Sequence, residues 1–216
     1  MSIAENLSQL KKEIPSHVKL VVVTKTHPAE KILEVYKTGH KIFGENRVQE
    51  LTPKHQDLPQ DIEWHLIGHL QTNKVKYIAP FVSLIHSVDS LKLLQEINKC
   101  AEKSRRTVDC LLQIHIAQEE TKFGLAFEDA EEILNSEEVL KMKNIRIKGL
   151  MGMATLTGDK NQIRKEFRSL KNLFHKLSIA HSQLSILSMG MSSDYEIAIE
   201  EGSNLIRVGS LIFGSR

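Results

Sequence analysis

Apolar positions along the chain alternate between two spacings. Ile3, Leu7 and Leu10 recur at helical intervals, so residues 3–12 read as one surface helix that Pro15 stops. Residues 18–25, Val-Lys-Leu-Val-Val-Val-Thr-Lys, are instead apolar on both faces and rich in β-branched side chains. Such a run suits a strand buried on both sides, as parallel sheets require. Pro28 falls at a first helical turn, and a helical pattern through Ile32, Leu33, Val35 and Tyr36 ends at Gly39. The alternation then repeats. Further strands are expected at 41–45, 63–68, 84–88, 108–116, 145–154, 184–190 and 205–213, with helices near 72–78, 90–103, 127–134, 162–181 and 194–201. In the connection 48–61, Pro53 and Pro59 limit any helix to a short one.

Eight strand–helix units share the 216 residues at about 27 each, the size of one strand, one helix and two short loops. Strands alternating with helices imply right-handed crossovers and a parallel sheet. The competing architecture, an open doubly wound sheet, usually carries a glycine-rich loop after its first strand. Here that strand ends in Thr24-Lys-Thr-His-Pro28, without glycine. The expectation is an α/β fold: a single (β/α)8 TIM-type barrel with an extra N-terminal helix, spanning 1–216 as one domain.

Composition narrows the setting. Hydrophobic residues make up 41 % and charged residues 26 % of the chain, with a mean hydropathy of −0.24. These are the proportions of a globular protein, and no apolar run approaches the roughly 20 residues of a membrane span. The N-terminus has no apolar signal core, and two isolated cysteines, Cys100 and Cys110, cannot form a disulfide framework. A reducing cytoplasm is expected. A net charge of +2, from 29 basic and 27 acidic residues, leaves no electrostatic footprint for nucleic acid.

In a barrel the working residues lie at the C-terminal ends of the strands. That rule selects Lys25, Gly44-Glu-Asn46, His65-Leu-Ile-Gly-His69, Ser188-Met-Gly-Met-Ser-Ser193 and Arg207-Val-Gly-Ser210. A lysine delivered to the mouth by a well-packed strand has the setting of a Schiff-base amine; the plain alternative is a strand-end lysine reaching for water. Ser193-Asp-Tyr-Glu196 reads as a capping box opening a helix, with either Ser192 or Ser193 toward a ligand. Arg207 in an apolar strand needs a partner, either a ligand or a barrel carboxylate such as Glu45. Gly209 admits a close backbone approach, and Ser210 adds a hydroxyl. Phosphate sites in barrels often use the loops after strands 7 and 8, so these two elements would converge on one anion-binding corner. Weaker signals are assigned to structure. His65 and His69 lie too far apart on a strand to share a metal. Met151 and Met153 read as barrel lining, and Lys103, Arg105 and Arg106 as a solvated helix terminus.

A lysine closing strand 1 opposite a phosphate corner suits pyridoxal 5′-phosphate, PLP. The chain resembles the PLP homeostasis proteins, relatives of the barrel domain of alanine racemase. The resemblance rests on Val22-Val-Thr-Lys-Thr26, Phe43-Gly-Glu-Asn46, Trp64-His-Leu-Ile-Gly-His-Leu-Gln71, His86-Ser-Val-Asp89, Lys122-Phe-Gly124, Leu187-Ser-Met-Gly-Met-Ser192 and Ile206-Arg-Val-Gly-Ser-Leu-Ile-Phe-Gly214, in that order and over nearly the whole chain.

The resemblance implies that Lys25 holds PLP as an aldimine and that Asn46 lines the cofactor. It likewise implies that Ser192, Gly209 and Ser210 cradle the phosphate, and that Arg207 faces the pyridine nitrogen. An arginine there disfavours ring protonation and so supports carbanion chemistry poorly. Arg47, His115 and Met153-Ala154 depart from the family pattern and leave pocket details open. Alanine racemases continue into a second domain that supplies a tyrosine base; here the chain ends at 213–216 and only Lys25 is evident as an acid–base group. The implied function is a carrier and buffer of PLP in vitamin B6 and amino-acid homeostasis. It would act as a monomer, without metal, membrane or nucleic-acid partners, and hand PLP to apo PLP-dependent enzymes. A one-domain PLP-dependent amino-acid racemase, or a barrel binding another phosphorylated metabolite, are the competing readings. Lys74 and Lys122 are candidates for a second cofactor site.

Overall fold

The computed structural model describes residues 2–119 and 123–214; Lys122 lies outside them. Among the described residues, eight parallel strands close in sequence order into a barrel. They are β1 (Lys19–Val23), β2 (Ile42–Glu45), β3 (Glu63–Leu66), β4 (Leu84–Val88), β5 (Val108–Ile114), β6 (Ile145–Gly152), β7 (Ile186–Ser188) and β8 (Leu205–Val208). Closure comes from β8 pairing with β1, Val21 opposite Arg207. The expected barrel is therefore present.

The helices are α1 (Ile3–Glu13), α2 (Ala29–Tyr36), α3 (Val48–Asp57), α4 (Val75–Ile78), α5 (Leu91–Lys103), α6 (Phe127–Asn135), α7 (Glu137–Leu140), α8 (Lys160–Ala180), α9 (Tyr195–Glu200) and α10 (Ser210–Phe213). The extra helix α1 starts at a capping box in which Ser2 and Glu5 exchange hydrogen bonds. It packs on α2 and α10, and Asn6 Nδ2 donates to the Ile212 carbonyl at 3.0 Å.

Strand alternation divides the core in two. Outward side chains, among them Phe43, Trp64, Leu66 and Ile85, join the helices in the large core, while Val21, Leu84, Leu111, Met151 and Leu205 form a small separate cluster inside the barrel. Two residues further along several of these strands, on the same inward face, stand Val23, His86, Gln113, Met153 and Arg207. The interior thus turns from apolar to polar toward the C-terminal mouth.

Four expectations are corrected. The run 205–213 is not one strand: β8 stops at Val208 and α10 begins at Ser210, Gly209 adopting φ −129° and ψ −63° between them. Ser193 does not cap α9; the N-cap is Asp194, and its carboxylate turns back to accept the Met191 N–H at 2.6 Å. Pro53 sits inside the ten-residue α3 rather than cutting it short, because Val48 and Leu51 beneath it are buried and packing overrides the lost bond. Arg106 is not merely solvated: its Nη1 donates to the Ala79 and Val82 carbonyls at 2.8 and 3.1 Å, closing the end of α4.

Candidate functional site

At the C-terminal mouth of the barrel lies a cavity of about 590 Å³. Lys25, Asn46, Ser192, Arg207, Gly209 and Ser210 all line it, so the fold brings together the six residues expected to hold the cofactor. Val23, His27, Ile67, Gly68, His69, Gln113, Phe123, Met153, Met191 and Ser193 line it too. No carboxylate stands among these described lining residues. The strand-end rule could have found Gln113 and Met153; Met153 faces the cavity, whereas Met151 is packed inside the barrel as expected. His27 and His69 owe their place to loop geometry and ring stacking. His27 stacks on Phe213, and His69 on Phe123.

Lys25 sits two residues past β1, half-buried, as the second residue of a turn closed by a bond from His27 N–H to the Thr24 carbonyl at 3.0 Å. The next residue, Thr26, has φ +66°. On α3, Lys54 Nζ donates to the Thr24 carbonyl at 2.9 Å and to Glu45 Oε1 at 2.6 Å. The Glu45 side chain is fully buried; burial pushes its carboxyl up, against the pull of hydrogen bonds from Lys54 and Thr24. Glu45 therefore pairs with Lys54 and leaves Arg207 to other partners. Asn46 packs its backbone against Gly68, where a Cβ would come within 2.4 Å of the Asn46 carbonyl oxygen, so this approach of β2 to β3 needs glycine.

Arg207 is 3 % exposed. It donates to Ser188 Oγ at 2.7 Å and to the Gly152 carbonyl at 3.1 Å. Burial pulls the guanidinium down to about 10, with the Asp194 carboxylate opposing. Behind Ser188 the network continues to His86 Nδ1 at 3.1 Å and from His86 Nε2 to His65 Nδ1 at 3.0 Å. Burial drives both imidazoles down, His65 to about 3. His69 leaves this line and meets Asp89 at 3.2 Å, so His65 and His69 go different ways. The network was not readable from sequence, because it depends on strand register.

The third side is the corner between β7 and β8. Ser192 Oγ accepts the Gly209 N–H at 3.3 Å, tying the two loops together. Ser192 is half-buried and Ser193 exposed, so Ser192 is the more tightly built into the corner. A Cβ at Gly209 would come within 2.9 Å of the Val23 carbonyl oxygen. Lys74 lies elsewhere, in the 72–74 turn beside Tyr77.

In sum of charge, the cavity presents Lys25 and Arg207, with serine hydroxyls and no facing carboxylate among the described residues. That donor set fits an anionic ligand carrying a group that an amine can capture.

The alanine racemase N-terminal domain family model matches residues 1–216. The chain is 44 % identical over 200 residues to a pyridoxal phosphate homeostasis protein of Aquifex aeolicus, covering 92 % of this chain and 87 % of that one. It is 41 % identical over 198 residues to one from Helicobacter pylori, covering 91 % and 87 %. Among solved structures, PipY of Synechococcus elongatus with PLP bound superposes with a TM-score of 0.90 at 36 % identity, over 99 % of this chain and 100 % of that one. An alanine racemase of Clostridium difficile reaches 0.82 at 18 % identity, covering 56 % of that chain, a likeness of fold.

Proposed function

The chain belongs to the alanine racemase N-terminal domain family and, within it, to the PLP homeostasis proteins, and from that premise we propose that it binds PLP in the barrel mouth as a carrier of the cofactor. The observation that carries the reading is the meeting of Lys25, Arg207 and the Ser192–Gly209–Ser210 corner in one cavity. A PLP-bound relative, PipY, supports it. When bound, the cofactor supplies an aldehyde that a primary amine captures with loss of water, and a pyridine ring able to accept electrons.

The chain's residues divide the work. Lys25 is the attachment amine. Ser192, Gly209 and Ser210 hold the phosphate, and Asn46 borders the ring. Arg207, cationic at neutral pH, has only hydrogens to offer. Set against a pyridine nitrogen, Arg207 would keep it an acceptor and so leave the ring a poor electron sink. The reading is therefore storage and release of PLP, serving vitamin B6 and amino-acid homeostasis, rather than turnover. Apo PLP-dependent enzymes are the receivers, the protein acts as a monomer, and the reducing cytoplasm is its compartment; Cys100 and Cys110 are free and buried. Among the described residues no helix is long and apolar enough to cross a membrane.

A second reading, a one-domain racemase, is favoured by one observation: His69, held by Asp89, lines the same cavity and is a candidate second acid–base group. Incubating the PLP-loaded protein with a panel of L-amino acids in deuterated water separates the two. The carrier reading predicts α-proton exchange no faster than with free PLP. Exchange that is faster, and is lost in His69→Gln, establishes the racemase reading instead.

A further inference from the structure

The turn that carries Lys25 is held in a conformation its sequence disfavours. The His27 N–H bond to the Thr24 carbonyl makes it a four-residue turn with Lys25 second and Thr26 third. Positive φ at the third position is the mark of a type II turn, where glycine or asparagine is usual. Here a β-branched threonine occupies it, at φ +66°. Something outside the turn must compensate.

Three contacts from β2 and α3 do so. The Thr26 N–H, which belongs to the peptide following Lys25, donates to Glu50 Oε2 at 2.7 Å. Thr24 Oγ1 donates to Glu45 Oε1 at 2.5 Å. Lys54 lies between the two carboxylates: it bonds Glu45 and the Thr24 carbonyl, and stands 3.8 Å from Glu50. The residues on either side of Lys25 are thus each fixed by a carboxylate, and one lysine is shared between the two.

The geometry points to Glu50 as a positioning residue for Lys25. Glu50 selects the peptide orientation that puts Thr26 at positive φ, and Glu45 and Lys54 anchor the preceding residue. Type I and type II turns differ by a flip of the central peptide, here the one joining Lys25 to Thr26. Glu50 accepts from that N–H, so it bonds one orientation. Without it Thr26 relaxes to negative φ, the Lys25 backbone torsion changes with it, and the side chain loses its preset aim into the cavity.

This inference rests on Lys25 being the attachment amine, and the experiment separates the two. Five proteins are compared with the parent: Glu50→Ala, Glu50→Gln, Thr26→Gly, the double variant Glu50→Ala/Thr26→Gly and Lys25→Ala. Each is read in two ways. In the cofactor-free protein, the ¹H–¹⁵N resonance of Thr26 reports its carboxylate bond. With added PLP, the rate of rise of the visible absorption band reports capture by the amine. Glu50→Ala is expected to shift the Thr26 amide upfield and slow capture about tenfold, equivalent to about 1.4 kcal/mol. Glu50→Gln keeps an acceptor and stays close to the parent, which covers the case in which the alanine variant does not fold. Glycine accepts positive φ without strain, so Thr26→Gly makes Glu50 dispensable: the double variant recovers to within about twofold of Thr26→Gly alone. Capture at the parent rate in Glu50→Ala, or a double variant as slow as Glu50→Ala, overturns the inference. If the Lys25→Ala protein develops the same band at the same rate, the attachment site is wrong; the Thr26 amide still decides whether Glu50 holds the turn.

Discussion

Arg207 Nη1 donates to Ser188 Oγ at 2.7 Å, and that bond sets the tautomers of two histidines beyond it. A guanidinium only donates, so Ser188 accepts from it and directs its own proton to His86 Nδ1. His86, neutral, then carries its hydrogen on Nε2 and donates to His65 Nδ1. Both imidazoles are expected as Nε2–H tautomers at pH 7, measurable by ¹⁵N spectra of histidine-labelled protein. Ser188→Ala leaves His86 Nδ1 and one Arg207 hydrogen without these partners, at a cost of about 1–3 kcal/mol in urea unfolding. A loss under about 0.5 kcal/mol contradicts the assignment.

Acid should weaken the fold well before carboxylates titrate. His40, His65 and His86 are held neutral by burial, His40 at about 4 and His65 at about 3, against 6.5 for a free imidazole. Their folded pKa values are depressed, so between those values and 6.5 the unfolded chain binds more protons. Stability is intact above pH 6.5 and falls as pH drops through that window. Glu45, pushed up by burial, works the other way and trims the slope. Between pH 7 and 5 each histidine contributes a loss of about 2 kcal/mol before that offset. Urea midpoints that do not move between pH 7 and 5 contradict neutral burial.

The phosphate corner can be tested apart from the amine. Ser192→Ala removes the hydroxyl that ties Gly209, and Gly209→Ala drives a Cβ to within 2.9 Å of the Val23 carbonyl. Both should weaken PLP about tenfold, or about 1.4 kcal/mol, while barely changing the affinity for pyridoxal, which lacks the phosphate. Absorbance titrations with the two ligands give the ratio. An equal loss for both ligands places the defect elsewhere.

Arg207→Gln should also weaken PLP by tenfold or more while the borohydride-stable label stays on Lys25, since on the proposed reading the substitution removes the cation set against the ring and not the amine. Mass mapping of the reduced adduct checks it. A label that moves to another lysine indicates that Arg207 orients the whole ligand.

Much of this was legible in the chain because the barrel repeats one grammar eight times. The β-branched run at Val21-Val-Val23 and the apolar pair Leu84-Ile85 could only be buried strands. Site residues were legible as far as strand ends mark the mouth, which selected Lys25, Asn46 and Arg207. Legibility failed where pattern and geometry part. Leu211-Ile-Phe213 continues the apolar run of β8, yet the backbone at Gly209 turns it into a helix. The Ser193 capping box has the right letters, but Asp194 satisfies the Met191 N–H instead. The roles of Glu50 and Lys54 carry no signal, since nothing local shows that α3 lies beside the Lys25 turn.

The measurement that bears most directly on the account is borohydride reduction of the PLP-saturated protein followed by peptide mapping, beside Lys25→Ala. The account predicts a yellow absorption band in the parent protein, its disappearance in Lys25→Ala, and a reduced adduct on the peptide that contains Lys25. No band, or the same band and label in the Lys25→Ala protein, contradicts it and leaves a phosphate-binding barrel whose amine does not hold the cofactor.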